Sequence, residues 1–140
     1  MKNILKIALF ALLGLVLVTG CKKDDEENSS NQNSTEILNH LVGRWECTYS
    51  NQFYDGENHT GVWEGKIWEF SNDGRLIIQL NDNTETFVFS LSGNTIIVKD
   101  YLGQVLTKAE IKQLTGNTLE LYYADPNSDR TEEYRFRRLS

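Results

Sequence analysis

Cysteine is scarce in this sequence: Cys21 and Cys47 are the only two. Two thiols cannot build the disulfide framework of a small secreted scaffold, so the fold must rest on an apolar core. Basic residues are outnumbered, with 14 Lys and Arg against 20 Asp and Glu and a formal charge of −6. An acidic chain repels phosphate backbones, which argues against nucleic acid as a partner. No Cys/His zinc spacing and no phosphate-cradling glycine loop is present, so no metal and no cofactor is implied. The longest apolar run, Ile7 to Val18, is shorter than the roughly 20 residues that span a bilayer. Proline occurs once, at Pro126, and no internal repeat or second domain is visible.

What is present begins with a leader. Lys2 and Lys6 precede the apolar run, and Val18-Thr19-Gly20-Cys21 closes it, the three-part layout of a secretory signal. This layout resembles the lipobox of bacterial lipoproteins, in which a cysteine is lipidated and becomes the mature N-terminus. The resemblance implies a signal peptide over residues 1–20 and a lipid anchor, palmitate-type acylation included, on Cys21. Several acyl chains hold a protein firmly on a membrane where one holds only marginally. Loss of Lys2 and Lys6 would take the formal charge from −6 to −8. Cys47 would then be the only free thiol, and no disulfide within the chain could form.

Residues 21–35 contain no strongly apolar side chain after the cysteine, and such a segment cannot bury enough surface to offset its ordering entropy. It is expected to be a disordered tether with a mean reach of about 20 Å. Lys22-Lys23 followed by Asp24 to Glu27 is similar to the export signal that sends lipoproteins of Bacteroidetes-type bacteria to the outer face of the outer membrane; it also reads as a plain solvated charge run. The expected address is the outer membrane, lipid-anchored, with cell-surface exposure as one outcome.

From residue 36 to 140 the texture is that of one domain. Ser34 or Thr35 can cap a short helix that places Ile37, Leu38 and Leu41 on one face. Eight runs rich in aromatic and branched residues follow, near 43–50, 62–70, 75–80, 84–91, 95–99, 104–114, 118–124 and 131–139. Turn formers separate them, among them Asn72-Asp73-Gly74, Gly93-Asn94, Gly116-Asn117 and Asp125-Pro126-Asn127. The exception is Asn51 to Gly61, read as a longer loop. Alternation is clear in places: Trp45, Cys47 and Tyr49 against Glu46, Thr48 and Ser50; Leu119, Leu121 and Tyr123 against Glu120 and Tyr122; Tyr134, Phe136 and Arg138 against Glu133, Arg135 and Arg137. In Leu76-Ile77-Ile78 and Ile96-Ile97-Val98 both parities are apolar and no face can be assigned. Eight antiparallel strands in sequence order are best satisfied by closing the sheet. The expected class is all-β, an eight-stranded antiparallel up-and-down barrel with a short N-terminal helix; a two-sheet sandwich is the alternative.

Leu41-Val42-Gly43-Arg44-Trp45, a short helix running into Gly-x-Trp at the first strand, resembles the lipocalins. The later pattern, with Trp68 to Gly74, Ser92-Gly93-Asn94, Ile111 to Leu121 and the Tyr134, Phe136, Arg138 strand, is similar to the compact lipocalin-like domains of bacterial lipoproteins. The resemblance implies a structural set of Gly43, Trp45 and Arg138, with the arginine stacked on the tryptophan at the closed end of the barrel; Arg137 takes that role if a bulge shifts the register. It also implies a small, mostly apolar ligand at the open end.

Candidate mouth residues are Phe53, Tyr54, His59 and Trp63, and candidate lining residues are Trp68, Phe70, Phe87, Phe89 and Tyr123. An eight-stranded barrel is only just wide enough to hold one small ligand or to be filled by side chains. A filled barrel would serve instead as a protein or glycan interaction module, and an interior below roughly 300 Å³ would favour that second reading. Chemistry has weaker candidates. Cys47 could act with His40 or His59, but its inward parity reads as a buried hydrophobe. Asp125, Asn127 and Asp129 have the spacing that opens a calcium loop, but Arg130 and Phe136 stand where Gly and Glu are needed, so an Asx turn is expected. Glu64, Lys66 and Glu69 beside Trp63 and Trp68 invite a sugar site, against an outer face of mixed charge. The chain is not expected to be an enzyme.

Overall fold

The computed structural model describes residues 33–140. The leader, Cys21 and most of the tether lie outside the described residues. A helix, α1, occupies residues 33–41 and so takes in Ser34 and Thr35. Nine strands follow: β1 (Gly43–Tyr54), β2 (Glu57–Thr60), β3 (Ile67–Phe70), β4 (Arg75–Gln79), β5 (Thr84–Ser92), β6 (Thr95–Lys99), β7 (Val105–Leu114), β8 (Thr118–Ala124) and β9 (Thr131–Arg138). From β3 to β9 each strand pairs antiparallel with the next, and β9 returns to β1 over Trp45↔Arg138 to Phe53↔Thr131. The result is a closed eight-stranded up-and-down barrel of β1 and β3 to β9, with β2 outside the circuit.

The segment read as a loop between Asn51 and Gly61 is a β-hairpin. β1 runs on to Tyr54, turns through Asp55 and Gly56, both at positive φ, and pairs back from Tyr54↔Glu57 to Asn51↔Thr60. The turn is of the Asp-Gly kind that matches the twist of paired strands. The run expected over 62–70 is a strand only from Ile67. Gly61 to Lys66 instead forms a tight excursion between β2 and β3, both of which lie along the same edge of β1.

A second difference lies inside β1. The pairing with β9 jumps from Cys47↔Phe136 to Tyr49↔Arg135, so Thr48 is an extra residue, a β-bulge. A bulge reverses the parity beyond it. Trp45 and Cys47 point inward as expected, but then Ser50 and Gln52 are buried. Tyr49 is turned out and carries the Arg135 guanidinium over its ring at 4.8 Å.

The core gathers Trp45, Phe70, Leu76, Ile96, Leu119 and Phe136, each 2 % exposed or less. Burial resolves the doubly apolar runs: Leu76 and Ile78 face in on β4, Ile96 and Val98 on β6. The end nearest α1 is closed. Leu41 is fully buried, and its carbonyl accepts the Trp45 indole N–H at 2.8 Å. The Arg138 guanidinium lies 4.2 Å from the centre of the Trp45 ring. It donates to the carbonyls of Gly116 (2.7 Å), Val42 (2.9 Å) and His40. Carbonyls stranded at a helix C-terminus are thus satisfied by a cation, where the helix dipole also favours one. Among the described residues no helix is long and apolar enough to cross a membrane.

Candidate functional site

The opposite end of the barrel is where β1, β6 and β8 finish and β5, β7 and β9 begin. Behind it lies a cavity of about 180 Å³. Its floor is formed by Phe70, Leu76 and Ile96, each 1 % exposed. Half-buried or exposed residues, among them Phe87, Leu106 and Tyr123, form the part nearest solvent. These strand ends place the mouth on the β5, β7 and β8 side.

Trp63 reaches this cavity because of the bulge in β1. Reversed parity brings the Ser50 side chain inward, where its hydroxyl accepts the backbone N–H of Trp63 at 3.0 Å. The Ser50 carbonyl accepts Gly61 N–H at 2.9 Å, and the Cys47 carbonyl accepts Gly65 N–H at 2.8 Å. The excursion between β2 and β3 is thereby pinned across the barrel wall with Trp63 among the lining residues. Trp63 and Trp68 meet edge to face, 6.0 Å between centroids at 83°, and both pack on Tyr134, at 6.4 and 5.5 Å. Edge-to-face packing of this kind fixes ring positions beyond what area burial gives.

One wall is polar. β9 carries Glu132, Tyr134 and Phe136 inward on successive alternate positions, and all three are buried. Gln52 Nε2 donates to the Tyr134 hydroxyl at 3.1 Å; that hydroxyl donates to Glu132 Oε2 at 2.5 Å. Arg130 holds Glu132 Oε1 through Nε at 2.8 Å and Nη2 at 2.5 Å. Burial, and then the bond to Glu132, push the Tyr134 hydroxyl well above the ordinary phenol value, so it stays a donor. Among the described residues, Glu132 is the one charged residue lining the cavity.

Of the candidate residues, Trp63, Trp68, Phe70, Phe87 and Tyr123 come together around the cavity. Phe89 is buried and meets Phe70 edge to face at 5.2 Å, but it does not line the cavity. Phe53, Tyr54 and His59 do not line it either. They sit on the β1–β2 hairpin, where Tyr54 stacks on His59 at 4.0 Å and Arg130 lies 5.7 Å from the Tyr54 ring. Cys21 lies outside the described residues. The sequence reading missed Glu132 and Gln52. Glu132 had a usable signal, since it continues the inward parity of Tyr134 and Phe136; Gln52 had none, because the bulge that turns it inward leaves no mark in residue type.

The other chemical candidates have local partners. Cys47 is 1 % exposed and donates to the Tyr49 carbonyl at 3.3 Å, and burial pushes its thiol up to about 11. A protonated, enclosed thiol is a poor nucleophile. Asp125 Oδ1 accepts the Asn127 N–H at 2.9 Å and Oδ2 the Ser128 hydroxyl at 2.9 Å, an Asx turn that holds the carboxyl below the ordinary range. Glu69 faces Arg44 at 3.9 Å on the half-exposed outer wall, and Glu64 is exposed.

Fold and site together define a closed β-barrel, plugged at one end by a helix and holding a small, largely apolar cavity toward the other. No protein-family model matches the chain, and no curated protein is detectably similar to it.

Proposed function

We propose that this is a cell-envelope lipoprotein, anchored in the outer membrane through lipid on Cys21, whose lipocalin-like barrel binds a compact, mostly apolar ligand and catalyses no reaction. The cavity of about 180 Å³ carries this reading. Its volume lies under the roughly 300 Å³ of ordinary ligand pockets, which favours the interaction module over any ligand of ordinary bulk, excludes an enclosed long acyl chain, and confines the binding reading to the smallest ligands. It suits a single ring, since an engineered cavity of about 150 Å³ with apolar walls takes benzene. Titrating the recombinant domain with single-ring hydrocarbons and phenols should quench tryptophan fluorescence saturably, with dissociation constants of tens to hundreds of micromolar. Absence of saturation across the panel would sink the proposal. The anchor has a separate check: Cys21→Ser should move the protein to the soluble fraction, and protease shaving of intact cells separates surface from periplasmic exposure.

The turn between β6 and β7 favours a second reading, a barrel that works through its outer surface on protein or glycan. Tyr101 is 88 % and Leu102 75 % exposed. Asp100 Oδ1 accepts the N–H groups of Leu102 (2.9 Å) and Gln104 (2.8 Å), which holds the pair out toward solvent. On this reading the double variant Tyr101→Ser/Leu102→Ser abolishes capture of a partner and leaves the fluorescence titration untouched.

A further inference from the structure

Resting on the cavity reading above, we infer that the ligand bears a hydrogen-bond donor, a hydroxyl or N–H on a single ring, and that Glu132 is the acceptor that recognises it. Glu132 is about nine-tenths buried and, among the described residues, is the only charged side chain lining the cavity; the uncharged polar residues there are Thr107, Tyr123 and Tyr134. Burying a carboxylate beside apolar surface is costly unless its oxygens are bonded. The strand does not require a charge there, because its next two inward positions are Tyr134 and Phe136.

Glu132 lines the cavity with its carboxylate already positioned by protein donors. A carboxylate accepts at about four sites. Nε and Nη2 of Arg130 and the Tyr134 hydroxyl take three of them. Of the groups bonded around Glu132, the Tyr134 hydroxyl also lines the cavity and its proton is given to Glu132, whereas Arg130 and Gln52 do not line it. Arg130 and Tyr134 fix the carboxylate from two sides, so a ligand meets an acceptor that needs no reorganisation. The alternative polar reading would use the indole N–H groups of Trp63 and Trp68, which have no partner among the described residues. Both nitrogens are enclosed by neighbouring atoms even though their residues line the cavity. The tryptophans thus offer carbon surface to a ligand, and Glu132 offers the charged acceptor, beside the uncharged hydroxyls of Thr107 and Tyr123.

Three ligands of matched shape separate these possibilities on the intact domain: p-cresol has a donor and an acceptor, 4-methylanisole an acceptor only, and p-xylene neither. Calorimetric titration should find p-cresol at least about tenfold tighter than p-xylene, the scale of one hydrogen bond to a charged acceptor, with 4-methylanisole no tighter than p-xylene. In Glu132→Gln the ratio of p-cresol to p-xylene affinity should fall to about threefold or less, the readout being that ratio and not either affinity alone. If p-xylene binds as well as p-cresol, the inference fails and the cavity reading survives. If 4-methylanisole matches p-cresol, an acceptor is being recognised and the inference fails. If none of the three binds, both fall together. The wild-type comparison decides the matter even where the Glu132 variant does not fold.

Discussion

Gly43 and Arg138 constrain one another at the closed end of the barrel. Gly43 has φ of +138°, which L side chains rarely adopt, and a Cβ there would collide with Arg138 Nη1. That nitrogen is the one bonded to the Val42 carbonyl. Gly43→Ala should therefore cost about 1–3 kcal/mol in backbone strain, and more where Arg138 is displaced, read from urea midpoints. In an Arg138→Ala background only the strain should remain, so the two losses should be less than additive. Cys47 gives a pH-dependent case. Its thiol is ordinary in the unfolded chain, at 9.0, and pushed up to about 11 when folded. The folded state then holds its proton more tightly, so this contribution to stability is complete below pH 9.0 and is lost as pH rises toward about 11. Comparing urea midpoints of wild type and Cys47→Ala across that range should show the wild type falling faster, since the alanine variant has no proton to lose there. In the native state the thiol should resist disulfide-exchange reagents and react only on unfolding.

At the scale of the element, the bulge at Thr48 and the β1–β2 hairpin mark where the sequence is legible and where it is not. On β8 and β9 the inward residues Leu119, Leu121, Tyr134 and Phe136 alternate strictly with polar or charged neighbours, and period-two patterning is a direct readout of a half-buried strand. The hairpin was hidden because Glu57-Asn58-His59-Thr60 has no apolar face. Its stability comes from backbone pairing and the Asp55-Gly56 turn rather than from burial. That dipeptide was the available signal. The bulge was hidden for a different reason: Cys47-Thr48-Tyr49-Ser50 alternates equally well without it, and only the competing register with β9 decides which residues face in. Because β2 pairs with β1 alone, its loss should leave the barrel intact. Gly56→Val places a branched residue at φ of +75° and should speed amide exchange at Glu57 to Thr60. The global unfolding free energy should change by less than about 0.5 kcal/mol. A large global loss would show that the hairpin is part of the cooperative barrel.

For the molecule as a whole, the closed circuit of eight strands was legible from strand count and turn spacing, but the cavity was not, because empty space is what remains after every side chain has packed. Here it persists where β7 contributes small residues, Thr107 and Ala109, opposite the aromatic wall of Trp63, Trp68 and Tyr134. A fold selected only for stability has an easy remedy for such a void, since filling a cavity commonly yields about 0.5–2 kcal/mol. Ala109 is 7 % exposed, lies opposite Ile96 across the β6–β7 pairing and lines the cavity. Ala109→Leu adds apolar volume to a space of about 180 Å³ with room to receive it. The variant should therefore raise Tm by several degrees, at about 4–8 °C per kcal/mol for a domain near this size. It should also abolish binding of p-xylene and p-cresol alike. A gain in Tm with loss of both ligands would mean that the barrel holds the cavity open for a ligand at the expense of its own stability. A gain in Tm with ligand binding unchanged would move the site to the outer surface and favour the interaction module.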